Sequence, residues 1–242
     1  MLIKSFSILG LILIFLLFNT FCYYFSLKFV NAENIITIIP GSAKFSKSKP
    51  FAITRFFDID FFPIKKNQVI TWYNDDELYH KISIRGSNGT LITESKLIKP
   101  KESFSYSLNS YGKFDFFSPI YKWMNGTILI TDNLFTKSIV TPQNNIKIEL
   151  TYTPAKPQDG NTINYKLTFI DNNTGKNKEH IDYQFFISDS GGKVVYNQSM
   201  HSSWGMESAN YVYKKIDGAL TPVVRITGLA FQPVQPEEAI FK

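Results

Sequence analysis

From Asn34 onward, turn-forming clusters of Gly, Pro, Asn and Asp recur so often that no long element fits between them, and this most constrains the fold. "IITII" is closed by "PGS", "QVITWY" by "NDDE", "HKISI" by "RGSNG", "SFSYSL" by "NSYG", and "FDFF" by "SP". "GTILI" ends the series at "TDN". The runs are rich in Ile, Thr, Phe and Tyr, which pack well on a pleated sheet and poorly on a helix. Short strands at such spacing predict an all-β chain built as a Greek-key sandwich.

Strand character then fades from Asn133 to Asn145, around "TPQNN", and residues 135–145 read as a linker. A second series follows: "IKIELTYT", "NYKLTFID", "IDYQFFIS", "KVVYNQS", "NYVYKKI" and "TPVVRITGL". In "HIDYQFFI" the alternate residues Ile181, Tyr183, Phe185 and Ile187 form a core face, while His180, Asp182 and Gln184 face outward. This second series predicts an immunoglobulin-like sandwich over 146–242, whose proline-bearing tail "FQPVQPEEAIFK" ends as an extended edge or loop. The expected organisation is therefore a segment at 1–32, a first β-domain at 33–134, the linker, and the second sandwich.

The first 32 residues read as a targeting segment. Lys4 precedes an apolar run from Phe6 to Phe18, and Val30 and Ala32 satisfy the small-residue rule for cleavage after Ala32. The stretch 6–30 is also long enough to act as a membrane anchor at about 1.5 Å per residue. Export to the cell surface or to an extracellular or periplasm-like space is expected in either case. The sole cysteine, Cys22, lies in this segment, so the remainder forms no internal disulfide and offers no thiolate.

Without Lys4 and Lys28 the formal charge of +6 falls to a surplus of four basic residues. The lysines are scattered and no aromatic–basic motif accompanies them, which argues against nucleic acid. G-x-S-x-G, H-E-x-x-H and phosphate-loop patterns are absent, and "DSGGK" reads as a hairpin turn, so a non-enzymatic role is expected. Four N-x-S/T triplets, at Asn88, Asn125, Asn172 and Asn197, fall in turns or at strand edges.

Several stretches of the first domain resemble the cupredoxins, particularly the plastocyanin-like modules of archaeal surface proteins. "QVITWYNDDELYH" is similar to the family's V-x-W-x-N-x-D stretch leading to its first histidine ligand. "LIKPKESFSYSL" resembles L-x-P-G-x-S-F, with Lys101 in place of the glycine. "YGKFDFFSPIYKWMNGTILI" resembles G-x-Y-x-Y-x-C-x-x-H-P-W-M-x-G-x-I, with Lys122 in place of the proline.

The resemblance implies a cupredoxin-like fold over nearly all of 35–131. It carries the family's copper ligands onto His80, Ser118 (the cysteine place), Tyr121 (the second histidine place) and Met124. Only His80 and Met124 keep a ligand side chain. Type 1 copper requires a thiolate and two imidazoles, with methionine as a weak axial partner. Ser118 and Tyr121 supply neither, so the implied type 1 centre is lost and no cofactor is expected. The alternative is weak type 2 copper at His80 and Met124, aided by Asp75, Asp76 or Glu77.

Pairing around Gly191 and Gly192 places His201 opposite His180, a second candidate metal pair with Asp182 as a third ligand. The expected function is a non-catalytic binding or scaffold module for a protein partner at the cell surface or in a membrane complex, with the membrane reached through the N-terminal segment. The expected contact surface is Pro119, Tyr121 and Trp123 at the tip of the former copper loop.

Overall fold

The computed structural model describes residues 34–44 and 55–242. The targeting segment with Cys22 and the span 6–30 lies outside the described residues. Among the described residues no helix is long and apolar enough to cross a membrane.

The described chain is all-β. Strands β1 (Ile35–Ile38), β3 (Val69–Asn74) and β6 (Ser103–Ser107) form one sheet in the order β1-β3-β6. Strands β2 (Phe61–Ile64), β4 (Ser83–Gly86), β5 (Leu91–Glu94), β7 (Gly112–Phe117) and β8 (Asn125–Ile130) form a second, in the order β2-β8-β7-β4-β5. The β1/β3 and β2/β8 pairs are parallel, and the others antiparallel. Between the sheets lies a core of Ile36, Ile38, Phe57, Phe62, Ile70, Trp72, Ile84, Phe116 and Ile128. Trp72 stacks on Phe104 and meets Phe116 edge-on, each at 5.7 Å between centroids.

The remaining strands make a second pair of sheets. One contains β9 (Phe135–Val140), β10 (Ile146–Thr153), β11 (Thr162–Asp171) and β14 (Met206–Val212), ordered β14-β11-β10-β9. Its partner contains β12 (Ile181–Ser188), β13 (Val194–Ser202), β15 (Thr221–Leu229) and β16 (Gln232–Ile240), ordered β13-β12-β15-β16. Ile181, Tyr183, Phe185 and Ile187 are buried while Asp182 and Gln184 stay partly exposed, as period-two alternation requires.

One expectation needs correction. The linker at 135–145 is in large part strand: β9 pairs along β10, with Phe135 stacked on Tyr152 at 4.8 Å and Ile139 packed on the core. Its polar Thr136-Lys137-Ser138 centre hid the pattern, because an edge strand tolerates polar residues that a central strand would not. The tail takes the extended-edge form of the two expected: a regular nine-residue edge strand, β16, where Pro233 and Pro236 are accommodated because one side of an edge makes no ladder bonds.

Residues Asn34–Lys242 form one compact unit. Strand β11 is buried almost continuously from Ile163 to Ile170 because the first sandwich covers its outer face. Lys166 is 4% exposed with its ammonium 4.4 Å from the centre of the Phe62 ring. Nearby, Arg55 pairs with Glu207 at 2.6 Å and Ser208 Oγ donates to Asp60 Oδ1 at 3.1 Å. Met206, at the start of β14, belongs to the core of the first sandwich.

Candidate functional site

The turn after β3 is organised by Asn74, whose amide nitrogen donates to the carbonyls of Leu78 (2.8 Å) and Ile98 (3.0 Å). Its side-chain oxygen accepts the Asp76 N–H at 3.0 Å. Asp76 is buried and collects four donors: the backbone N–H groups of Gly41, Ala43 and Glu77, and His80 Nε2 at 2.8 Å. Burial alone would raise the carboxyl pKa, but these donors outweigh it and hold Asp76 below the usual carboxylate range. Burial also lowers the His80 pKa, against the pull of Asp76.

His80 is therefore neutral at pH 7, and Nε2 carries the proton because an ionised carboxylate can only accept. Its Nδ1 lone pair is buried and without a hydrogen-bond partner. A carboxylate that fixes an imidazole tautomer is the arrangement that supports metal-ligating histidines.

The loop between β7 and β8 faces this histidine. Tyr121 lies with its ring 5.0 Å from the imidazole, and its N–H donates to Ser118 Oγ at 3.1 Å. Met124 N–H donates to the Tyr121 carbonyl, and Ser118 N–H to the Met124 carbonyl. Ser118 and Met124 are buried, and Trp123 Nε1 donates to the Ser42 carbonyl at 2.9 Å. The loop is thus closed by its own hydrogen bonds, with the Ser118 hydroxyl acting as a turn acceptor.

Type 1 copper does not fit this donor set. The described residues contain no cysteine, Ser118 Oγ is engaged by the backbone, and His80 is the single imidazole here. The auxiliary carboxylates are committed elsewhere: Asp75 pairs with Lys101, Glu77 with Lys44, and Asp76 with His80. His80 meets Asp76 rather than bonding to Ser118 or Tyr121, an i,i+4 relation legible in "DELYH". Among the described residues, no group of three or more His, Cys, Asp or Glu side chains could hold a metal ion.

At this end of the sandwich apolar side chains are exposed among charged ones such as Glu77, Lys96, Lys99 and Lys122. Leu78 and Tyr79 precede His80, Leu97 precedes the Ile98 that bridges to His80, and Ile120 follows Pro119 on the loop; all five are exposed. Tyr121 and Trp123 are half-buried with their rings 5.6 Å apart. Of the contact residues expected from sequence, Pro119 alone is exposed. Leu78, Tyr79, Leu97 and Ile120 carry no motif and were not singled out.

In the second sandwich the imidazole rings of His180 and His201 lie 5.8 Å apart. The ladder pairs His201 with Asp182, not with His180: the Ser188–Val194 register alone would set His201 against Ile181, and a bulge at Ile187/Ser188 moves it one residue further. Asp182 Oδ1 is 2.6 Å from His201 Nδ1.

No family model matches the chain, and no curated protein matches it. Among solved structures, a purple cupredoxin from Nitrosopumilus maritimus is similar over 40% of this chain and 99% of its own, at 19% identity and a TM-score of 0.35. An amicyanin variant in its Cu(I) state is similar over 40% of this chain and 81% of its own, at 13% identity and a TM-score of 0.31. A second amicyanin variant in the Cu(I) form gives 43% and 87%, 12% identity and a TM-score of 0.33.

Proposed function

We propose that this chain is a non-catalytic docking module, a cupredoxin-like sandwich that has given up type 1 copper joined to an immunoglobulin-like sandwich, acting outside the cell. The observation that carries the reading is the loop 118–124. A serine hydroxyl stands where the thiolate would be, tied into the turn by Tyr121, beneath an exposed apolar rim of Leu78, Tyr79, Leu97 and Ile120. Apolar side chains in water around a fixed loop suit burial against a protein partner. For the second part, β10-β11-β14 facing β13-β12-β15-β16 follows the A-B-E and C′-C-F-G order of immunoglobulin-type sandwiches, with β9 added at one edge. The apolar segment 6–30 supports export and attachment to a membrane.

A second reading is favoured by one observation: the buried, unpartnered Nδ1 of His80, oriented by Asp76. It makes the chain a weak copper binder through His80 and Met124. Adding Cu(II) to the full chain separates the two. The docking reading expects no intense thiolate–copper absorption and no copper retention that depends on His80. The same chain carrying Ser118→Cys and Tyr121→His is expected to gain the absorption, since thiolate, imidazoles and thioether would then be restored. Stoichiometric copper lost in His80→Ala would overturn the docking reading in favour of the second.

A further inference from the structure

The end of the second sandwich where β12, β13 and β15 meet carries an arrangement unrelated to the former copper loop. His180 precedes β12 with a left-handed backbone, φ 53°, and its carbonyl accepts the Ala230 N–H at 2.8 Å. Ala230 and Phe231 form the β15–β16 turn and are also left-handed, at φ 47° and 64°. L-residues with side chains avoid this region, so three together are held by their surroundings. What they hold is a ring cluster: Phe231 lies 4.4 Å from His180 and 5.6 Å from His201, nearly parallel to the latter.

The carboxylate of Asp182 fits here only because residue 228 is glycine. A Cβ at Gly228 would sit 2.6 Å from Asp182 Oδ2. The β15 register shifts beside it, between Ile226 and Gly228, as it does where β15 runs past Asp182 and Tyr183. So placed, Asp182 accepts from His201 Nδ1, which leaves the Nε2 of a neutral His201 with its lone pair free. His180 Nδ1 is buried and unpartnered.

We propose that His180 and His201 form a two-imidazole site for a divalent transition-metal ion, with Asp182 as the positioning residue behind His201. Metal–nitrogen bonds of about 2.0–2.1 Å put two rings on one ion with centroids roughly 5–6 Å apart, a range that contains the observed 5.8 Å. Neutral imidazoles select borderline metals, Cu(II) ahead of Zn(II), and the negative charge of Asp182 favours a cation. Two protein ligands leave positions open to solvent. His201 is 34% exposed and borders an open depression shared with Met200 and Arg225, so water reaches its ring. Asp182 does not ligate; its carboxylate orients the His201 ring.

The test is Cu(II) titration of the full chain, read by calorimetry and by nitrogen coupling in the paramagnetic resonance spectrum, beside four single variants and the His180→Asn/His201→Gln double variant. One equivalent with two-nitrogen coupling is expected. It should be lost in His201→Gln and in His180→Asn, the latter chosen because Asn tolerates the left-handed backbone. Asp182→Asn should weaken it about tenfold or more while keeping both nitrogens. His80→Ala should leave it unchanged, which separates this site from either reading of the first sandwich. Binding that survives both histidine variants, or that disappears in His80→Ala, would overturn the proposal. So would a full chain that binds no better than the chain lacking both histidines. Thermal melts identify any variant that fails to fold, and the remaining ligand variant with Asp182→Asn then decides.

Discussion

At the residue scale, buried groups with incomplete partnering control the energetics. Asp58 is fully buried; Oδ1 accepts the Thr37 N–H at 2.8 Å, while Oδ2 has no partner. Burial pushes its pKa up to about 7, against the pull of that hydrogen bond and of Arg55. A raised carboxyl pKa means the folded state prefers the neutral form. Stability is full below the unfolded value near 4 and is lost as pH rises towards 7, by an amount on the order of 4 kcal/mol. Asp58→Asn should remove that slope and leave the protein more stable than wild type at pH 8, as read by urea denaturation at several pH values. Gly126 is required for packing rather than turning: a Cβ there would lie 2.3 Å from the Phe116 ring and 3.0 Å from the Asp60 carbonyl. Gly126→Ala is expected to cost roughly 1–3 kcal/mol or more by overpacking the core, measurable as a lower urea midpoint. Lys101 holds a left-handed backbone, φ 66°, a conformation that glycine would adopt without side-chain strain.

At the element scale, β14 and the segment at Arg55 fasten the two sandwiches together. Glu207 is 8% exposed and burial raises its pKa, with Arg55 opposing that shift. Removing the cation while leaving a buried carboxylate typically costs about 3–5 kcal/mol. Arg55→Met should therefore destabilise strongly at pH 8 and less at pH 5, where Glu207 escapes the penalty by binding a proton. A penalty equal at both pH values would show that the guanidinium acts through packing alone. Strand β9 makes a separate prediction. Phe135 is half-buried on Tyr152, so Phe135→Ala should cost about 2 kcal/mol, some half of the value for a fully buried phenylalanine. A loose linker would lose nothing.

For the whole molecule, Asn34–Lys242 behaves as one unit because β11 is covered on both faces, one face by each sandwich. Calorimetry of the full chain should then give a single transition for this part, with calorimetric and van't Hoff enthalpies in agreement. Two separated transitions would show that the junction is too weak to couple the cores. His80 and Asp58 give the pH profile opposed contributions. His80, its pKa lowered by burial, contributes stability above its unfolded value of about 6.5 and loses it on acidification, whereas Asp58 does the reverse between about pH 4 and 7. Asp58→Asn should accordingly unmask a fall in stability on acidification that the intact protein conceals.

Sequence alone determined the local order. Turn residues and β-branched runs set where strands begin and end, and period-two alternation set which side of β12 faces a core, because both follow from backbone sterics within a few residues. That Ser118 and Tyr121 offer neither thiolate nor imidazole was equally legible, since side-chain identity needs no coordinates. Tertiary structure decided what depends on distant partners. It made β9 a strand, because its ladder lies with β10 and its polar centre hides the pattern. It shifted His201 against Asp182 through a bulge that no turn residue announces. It left His80 Nδ1 unpartnered, and it buried Lys166 and Glu207 at a junction between sheets far apart in sequence. Burial and register at long range are collective properties of packed sheets, and no short stretch of this chain encodes them.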